Sequence, residues 1–292
     1  QTLYGGTCKI MKTVLTIAGS DSSGGAGIQA DIKTMSALGV YAMSVITAIT
    51  AQNTTGVYGV QYVDDNMIEN QLNCVLSDIF PDAVKIGMLS SPSSVEIIAK
   101  CLSDYNIRNI VIDPVMVSTS GASLTKSDTV LALEKHLLPL ATLITPNIPE
   151  AEILSGHKIT THESCITTAR DLSLKYNTAV LIKGGHAVFN DTMTAIIKEG
   201  KDDKLIEYST DILVCPGAEP VYFESKRIDN PNTHGTGCTL SSAIASYLAK
   251  GLSLEVAVRE AKKYITGAIN AGLNLGKGRG PLNHLYNLEN LQ

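Results

Sequence analysis

The chain has no apolar run that approaches the ~18 residues of a membrane-spanning helix, which excludes a span of that kind. Positive charge is scarce too: 23 lysines and arginines stand against 28 aspartates and glutamates, a formal charge of −5. That balance argues against nucleic acid or an anionic membrane as a partner. No C-x-x-C pair occurs among the six cysteines, Cys8, Cys74, Cys101, Cys165, Cys215 and Cys238. Thiols scattered in this way read as reduced, in a cytoplasmic protein, rather than as a disulfide framework. Linkers, low-complexity tracts and fixed-period repeats are missing as well, so one domain is expected over residues 11–292. The stretch QTLYGGTCKI ahead of Met11 lacks the long apolar core of a signal peptide and is expected to be an upstream extension, residues 1–10.

What is present is a globular composition, 44% apolar and 17% charged over 292 residues. A fold of that length buries roughly three-quarters of its unfolded surface and needs no cross-links. Strands are expected at TVLTIAG (13–19), DAVKIGM (82–88), RNIVIDPVM (108–116), ATLITPN (141–147) and AVLIKGG (179–185), with two more near TMTAIIKEG and DKLIEYS. Helices are expected through GIQADIKTMSALG, SSVEIIAKCLSDY and SDTVLALEKHLL, then through GCTLSSAIASYLAKG and SLEVAVREAKKYITGAINAG. This alternation predicts an α/β fold, a mostly parallel sheet with helices on both faces. Ligands of such sheets bind outside the carboxyl ends of the strands.

The segments that carry chemistry sit at those ends. In TIAGSDSSGGAGIQADI (16–32) a strand, a glycine-rich turn and a helix follow one another, but the P-loop lysine is missing and G-x-G-x-x-G does not fit. What remains is either a tight turn or a loop that lets a flat or anionic ligand reach the backbone. IDPVM places Asp113 at a strand terminus, and TPNIPEAE places Asn147 and Glu150 three residues apart at a helix entrance. Those two are either hard oxygen donors for Mg²⁺ or a capping box. IKGGH sets Lys183 before Gly184 and Gly185, suited to a phosphate or to a solvated strand tip. NTHGTGCTLSSAIA opens a helix through Gly235, Thr236 and Gly237, where converging N–H groups and the helix dipole favour an anion. Together these polar strand ends point to a nucleoside triphosphate held with Mg²⁺.

The motifs LTIAGSDSSGGAGIQADIKT, SVITAITAQNT, KIGML, DPVM, TPNIPEAE, IKGGH, NTHGTGCTLSSAIA and GRGPLNH occur in that order. Through them, over residues 13–286, the chain resembles the hydroxymethylpyrimidine/phosphomethylpyrimidine kinase family of thiamine biosynthesis, a ribokinase-like family close to the pyridoxal kinases. The resemblance implies a three-layer αβα sandwich and a homodimer. It implies ATP- and Mg²⁺-dependent phosphorylation of hydroxymethylpyrimidine and then of its monophosphate. Substrate contacts are implied for Gly19, Ala26, Thr50, Gln52 and Met88, with Asp31 nearby. Nucleotide contacts are implied for Asp113, Asn147, Lys183, Gly185 and Gly237, metal contacts for Asn147, Glu150 and Asp113, and a catalytic turn for Gly235–Cys238.

The residue types agree with that chemistry. A glutamine amide matches the donor and acceptor edge of an aminopyrimidine, so Gln52 can bind it at two points. Sugar kinases of the wider superfamily carry an aspartate base where Cys238 stands here. A helix N-terminus lowers a thiol pKa, so a Cys238 thiolate is expected to assist by accepting the hydroxyl proton, while the N–H groups of Gly235, Thr236 and Gly237 form an anion hole that matters more. A pyridoxal kinase on the same scaffold is the nearest rival, and AQN at 51–53 is the feature that argues against it. A non-catalytic sensor of a vitamin precursor would have no need of Asn147, Glu150, Lys183 and the GTGC turn.

Overall fold

The computed structural model describes residues 11–116, 126–184, 195–199, 202–206 and 208–288. β1 (Thr13–Asp21) leads into α1 (Gly27–Ala37), and β2 (Tyr41–Asn53) turns into β3 (Gly56–Tyr62) ahead of α2 (Asp65–Leu76). There follow β4 (Ala83–Ile86), α3 (Pro92–Asp104), β5 (Ile110–Ile112), α4 (Ser127–Ala132), β6 (Leu143–Ile144), α5 (Ile148–Ser155), α6 (His162–Tyr176) and β7 (Ala179–Ile182). The chain continues through β8 (Ala195–Glu199), β9 (Asp202–Ile206), β10 (Tyr208–Val214), β11 (Val221–Lys226), α7 (Thr236–Ala249) and α8 (Leu254–Ala271).

Nine strands form one sheet in the order β11-β10-β7-β6-β5-β4-β1-β2-β3, while β8 and β9 pair separately as an antiparallel ribbon. The middle of the sheet, from β2 to β7, is parallel; β3, β10 and β11 are antiparallel additions at the edges. Its strands are apolar on both faces because helices cover both. One core gathers Ile68, Ile98, Leu154 and Leu172 from α2, α3, α5 and α6. The other gathers Met35, Ile244, Ala261 and Ile265 from α1, α7 and α8. The αβα sandwich is therefore observed as expected. Since α1 and α3 lie on opposite faces, a crevice opens between the ends of β1 and β4, the place where such sheets take ligands.

β2, α2, β3, β10 and β11 are additional to the elements expected from the sequence; β3 is exposed along nearly its whole length, so it shows none of the apolar alternation that marks a half-buried strand. The single helix expected through SDTVLALEKHLL is α4 followed by a π turn at Leu133–Leu137 and a 3₁₀ turn at Leu138–Leu140, where Pro139 ends it. Five cysteines are free thiols, and Cys8 lies outside the described residues.

α7 is buried between α1 and α8, and small residues make that possible. Its serines would be costly there without partners. Ser241 donates to Gly237 O at 2.9 Å and Ser246 to Ser242 O at 2.7 Å. Ser242 donates to Asp31 of α1 at 2.6 Å, and Asp31 also takes Thr16 of β1 at 2.6 Å and Lys85 of β4 at 2.8 and 2.9 Å. Lys85 and Asp31 are both fully buried. Burial works against the ammonium, but Asp31 outweighs it and the Lys85 pKa is raised. One carboxylate thus fastens two helices and two strands beneath the crevice. Removing the cation leaves that carboxylate buried and uncompensated, so Lys85→Met is expected to cost about 3–5 kcal/mol of folding stability in urea unfolding. A loss below about 1 kcal/mol would show that the pair is not a fastening.

Candidate active site

The crevice is a cleft of about 1700 Å³ along the carboxyl ends of the strands. Gly19, Ala26, Thr50, Gln52 and Met88 line one part of it; Asp113, Asn147, Glu150, Lys183, Gly235, Thr236, Gly237 and Cys238 line the rest. The sequence had separated these residues by more than two hundred positions, and the sheet collects them. Gly185 lies outside the described residues. Asp31 is the exception among the expected substrate contacts: fully buried and consumed by Lys85, Thr16 and Ser242, it does not line the cleft.

At the β1 end the loop after the strand is shaped by Asp21, which the sequence reading passed over. Its carboxylate accepts Ser23 N and Ser23 Oγ at 2.8 and 2.7 Å and Ala26 N at 2.8 Å, and lies 2.8 Å from His234 Nε2. Burial alone would raise its pKa, yet the hydrogen bonds from His234, Ser23 and Ala26 prevail and hold it at about 2. Asp21 is therefore ionised, and His234 donates Nε2–H to it. The amide nitrogen of Gln52 lies 3.2 Å from the same Nε2. A nitrogen that donates to Asp21 cannot also accept from Gln52, so the Gln52 amide protons remain available to a ligand. Its oxygen is 3.1 Å from Thr50 Oγ1, whose single proton is shared between that oxygen and Ser20 O at 3.0 Å. A register shift between Ala51 and Gln52 accompanies this turn of the strand. Asp21 was legible as an aspartate before Ser-Ser-Gly, the pattern of a side chain that folds its own turn. His234, 213 residues away, had no local signal.

At the other end, Asn147 and Glu150 form a reciprocal capping box on α5: Glu150 N–H donates to Asn147 Oδ1 at 2.9 Å and Asn147 N–H to Glu150 Oε2 at 2.8 Å. The capping alternative is thus realised at a position that also faces the cleft, and the Asn147 amide oxygen is engaged in it. Lys183 Nζ donates to Asp113 Oδ1 at 2.6 Å and sits 3.9 Å from Glu150 Oε2. Two carboxylates share one ammonium. Burial, opposed by Lys183 and reinforced by Asp113, pushes the Glu150 carboxyl up to about 7. Among the described residues no group of three His, Cys, Asp or Glu side chains could hold a metal unaided. Farther along, Lys262 pairs with Asp211 at 2.6 Å, and Asp211 accepts Gly184 N–H at 3.0 Å.

Between the two ends stands the start of α7. Gly235 caps it at φ 86°, and a Cβ there would run into the carbonyl oxygen of Gly25. The cap has no side-chain partner, and Gly237 and Cys238 occupy the first turn, where backbone N–H groups have no acceptor within the helix. A Cβ on Gly237 would lie 3.0 Å from Asp113 Oδ2, which places this turn against the Asp113–Lys183 pair. The thiol contradicts expectation. Burial raises the Cys238 pKa to about 11, with Asp31 and Asp113 adding to the rise, against help from Lys85 and from a Gly27 backbone hydrogen bond. Desolvation and two carboxylates outweigh the helix dipole.

The model of the family described as phosphomethylpyrimidine kinase matches residues 21–283. A thiamine biosynthesis bifunctional protein of Geobacter sulfurreducens is 48% identical over 280 residues, 96% of this chain but 54% of its own length, so the chain spans about half of that relative. The hydroxymethylpyrimidine/phosphomethylpyrimidine kinase of Haemophilus influenzae is 43% identical over 274 residues, 94% of this chain and 97% of its own length. Among solved structures, an ADP complex of Bacillus subtilis pyridoxal kinase has a TM-score of 0.82 at 36% identity, over 96% of this chain and 99% of that one.

The raised thiol pKa has a direct readout. With a pKa of about 11, roughly one Cys238 in 10,000 is thiolate at pH 7. Iodoacetamide labelling of the ligand-free protein, followed at the Cys238 peptide by mass spectrometry, is expected to be slow at pH 7 and to rise about tenfold per pH unit up to pH 10. A labelling rate that already levels off near pH 7 would overturn this assignment.

Proposed function

The chain belongs to the phosphomethylpyrimidine kinase family, and from that premise we propose that it phosphorylates hydroxymethylpyrimidine and then its monophosphate, with ATP as donor. The observation that carries this reading is the Gln52 amide. Held by Thr50 and presented beside His234, it has its N–H groups uncommitted at the end of the cleft away from Lys183. An aminopyrimidine edge offers a ring-nitrogen acceptor to those N–H groups and an amino donor to the amide oxygen. A substrate edge lacking the match leaves a buried amide unpaired, which costs roughly 1–3 kcal/mol.

With the ring so held, its hydroxymethyl oxygen faces the N-terminus of α7. As that oxygen bonds to the γ-phosphorus, the bond from the γ-phosphorus to the β-phosphate oxygen breaks, ADP leaves, the hydroxyl proton passes to solvent, and charge gathers on the transferred oxygens. The N–H groups of Gly237 and Cys238 and the α7 dipole are placed to stabilise it, with Lys183 beside them. Mg²⁺ fits the remaining charge, because Asp113 and Glu150 share a single ammonium and an ion bound by phosphates needs only one or two carboxylates. When bound, it would neutralise phosphate charge. Cys238, neutral at pH 7, contributes its backbone N–H more than its sulfur.

The fold likeness to pyridoxal kinases supports one alternative, pyridoxal as a second substrate. We also propose a cytoplasmic homodimer. β3 and β2 support the dimer, exposing Tyr58, Val60, Tyr62 and Ile49 at one edge of the sheet. Sedimentation equilibrium is expected to give about twice the 31.0 kDa of one chain, and a monomer mass would refute it.

ATP consumption with hydroxymethylpyrimidine and pyridoxal side by side, resolving mono- from diphosphate, tests the function. Diphosphate from the pyrimidine, with pyridoxal slower by ~100-fold or more, is expected; turnover of pyridoxal alone would overturn the reading. In the same assay Cys238→Ala is expected to lose about tenfold or less and Gly235→Ala more than about 100-fold, as a preorganised anion site outweighs a base here.

A further inference from the structure

The second transfer of the proposed function brings two anions together, the monophosphate of the substrate and the phosphoryl chain of ATP. A cleft that serves it needs positive charge not already spent. Two lysines of the cleft are spent, Lys183 on Asp113 at 2.6 Å and Lys262 on Asp211 at 2.6 Å, and the His234 ring is engaged by Asp21 at 2.8 Å. Lys226 and Arg227 stand at the end of β11, the opposite edge of the sheet from β3. Arg279 remains. It lines the cleft, and among the described residues no hydrogen bond or ion pair engages its guanidinium.

Its position follows from how the loop GKGRGP (276–281) is tied. On one side the N–H groups of Lys277 and Gly278 each donate to Thr54 Oγ1 at 3.1 Å, in the turn between β2 and β3. On the other, Gly280 N–H donates to Asn232 Oδ1 at 2.9 Å and Gly280 O accepts His234 N–H at 3.3 Å, while Pro281 bridges His234. Arg279 is thereby pinned between the residue two places after Gln52 and the histidine that touches Gln52. The backbone is fixed and the charged end is uncommitted.

We propose that Arg279 binds the phosphate of the pyrimidine monophosphate, a subsite that rests on the kinase reading above and extends it to the second step. A guanidinium offers a planar fork that matches two phosphate oxygens. A hydroxymethyl group offers it no charge, so Arg279 separates the two substrates of one cleft.

Calorimetric titration of hydroxymethylpyrimidine monophosphate into the nucleotide-free wild type, Arg279→Ala and Arg279→Lys tests this. The alanine variant is expected to bind about 10–100-fold more weakly, and lysine, a point charge, to recover part of the loss. In turnover, kcat/KM for the monophosphate is expected to fall at least about tenfold further than kcat/KM for the unphosphorylated pyrimidine. Equal losses for both substrates, or undiminished monophosphate affinity, would overturn the subsite. A wild type that binds the monophosphate through Arg279 yet forms no diphosphate would instead overturn the kinase reading for that step and leave the subsite standing.

Discussion

A buried carboxylate governs this structure. Asp31 sits where α1 and α7 meet β1 and β4, and its four hydrogen bonds come from all three of the other elements. A charged pair in a core is rarely the cheapest filling, because desolvation offsets most of its attraction. What it supplies here is direction: helices that slide on an apolar face are held in register by a charge with fixed partners. The consequence reaches the cleft. α7 begins at Thr236, about two turns before Ser242, so the angle at which its N–H groups meet the cleft is set by a bond made beneath it.

The cleft divides into two halves that solve different electrostatic problems. At the Gln52 end the pyrimidine ring is neutral, and the wall that meets it spends its charge internally. Asp21 is held at about 2 by His234 and by the loop it folds, so the wall is rigid and the polarity left free is the Gln52 amide, with Arg279 on the loop beside it. At the Lys183 end the protein arrives short of positive charge, with Asp113 and Glu150 on one ammonium and Glu150 raised to about 7. Such a deficit is costly when the site is empty and is relieved by a ligand that brings a cation with it. The Gln52 end reads the ring by shape and hydrogen bonds; the Lys183 end reads the charge of the nucleotide.

How much of this was legible depended on distance along the chain. Asn147 and Glu150 could be read as a cap or as oxygen donors, and they turn out to cap α5 while facing the cleft, because one local pattern serves both. The alternating parallel sheet followed from apolar runs such as AVLIKGG. Residues whose roles depend on remote partners stayed hidden. Lys85 is a lysine in a short strand until Asp31, 54 residues earlier, explains it. His234 has meaning only beside Asp21 and Gln52. Asp31 was placed near the substrate for want of knowing that its oxygens were taken. β3 failed for another reason: an exposed edge strand leaves no periodicity to find.

The thiol at the start of α7 also depends on remote partners, since burial and the carboxylates around it act against the helix N-terminus. With Asp113 and Asp31 adding to the rise in its pKa, a third carboxylate at position 238 would have met the same repulsion, in a place meant to receive phosphate oxygens. A side chain that stays neutral at pH 7 leaves the helix dipole and the turn's N–H groups unopposed. Phosphoryl transfer through a loose transition state asks little of a base and much of positive, preorganised surroundings. On that footing Cys238 is explained by what it does not carry: a negative charge at the one point of the cleft where the incoming group already has several.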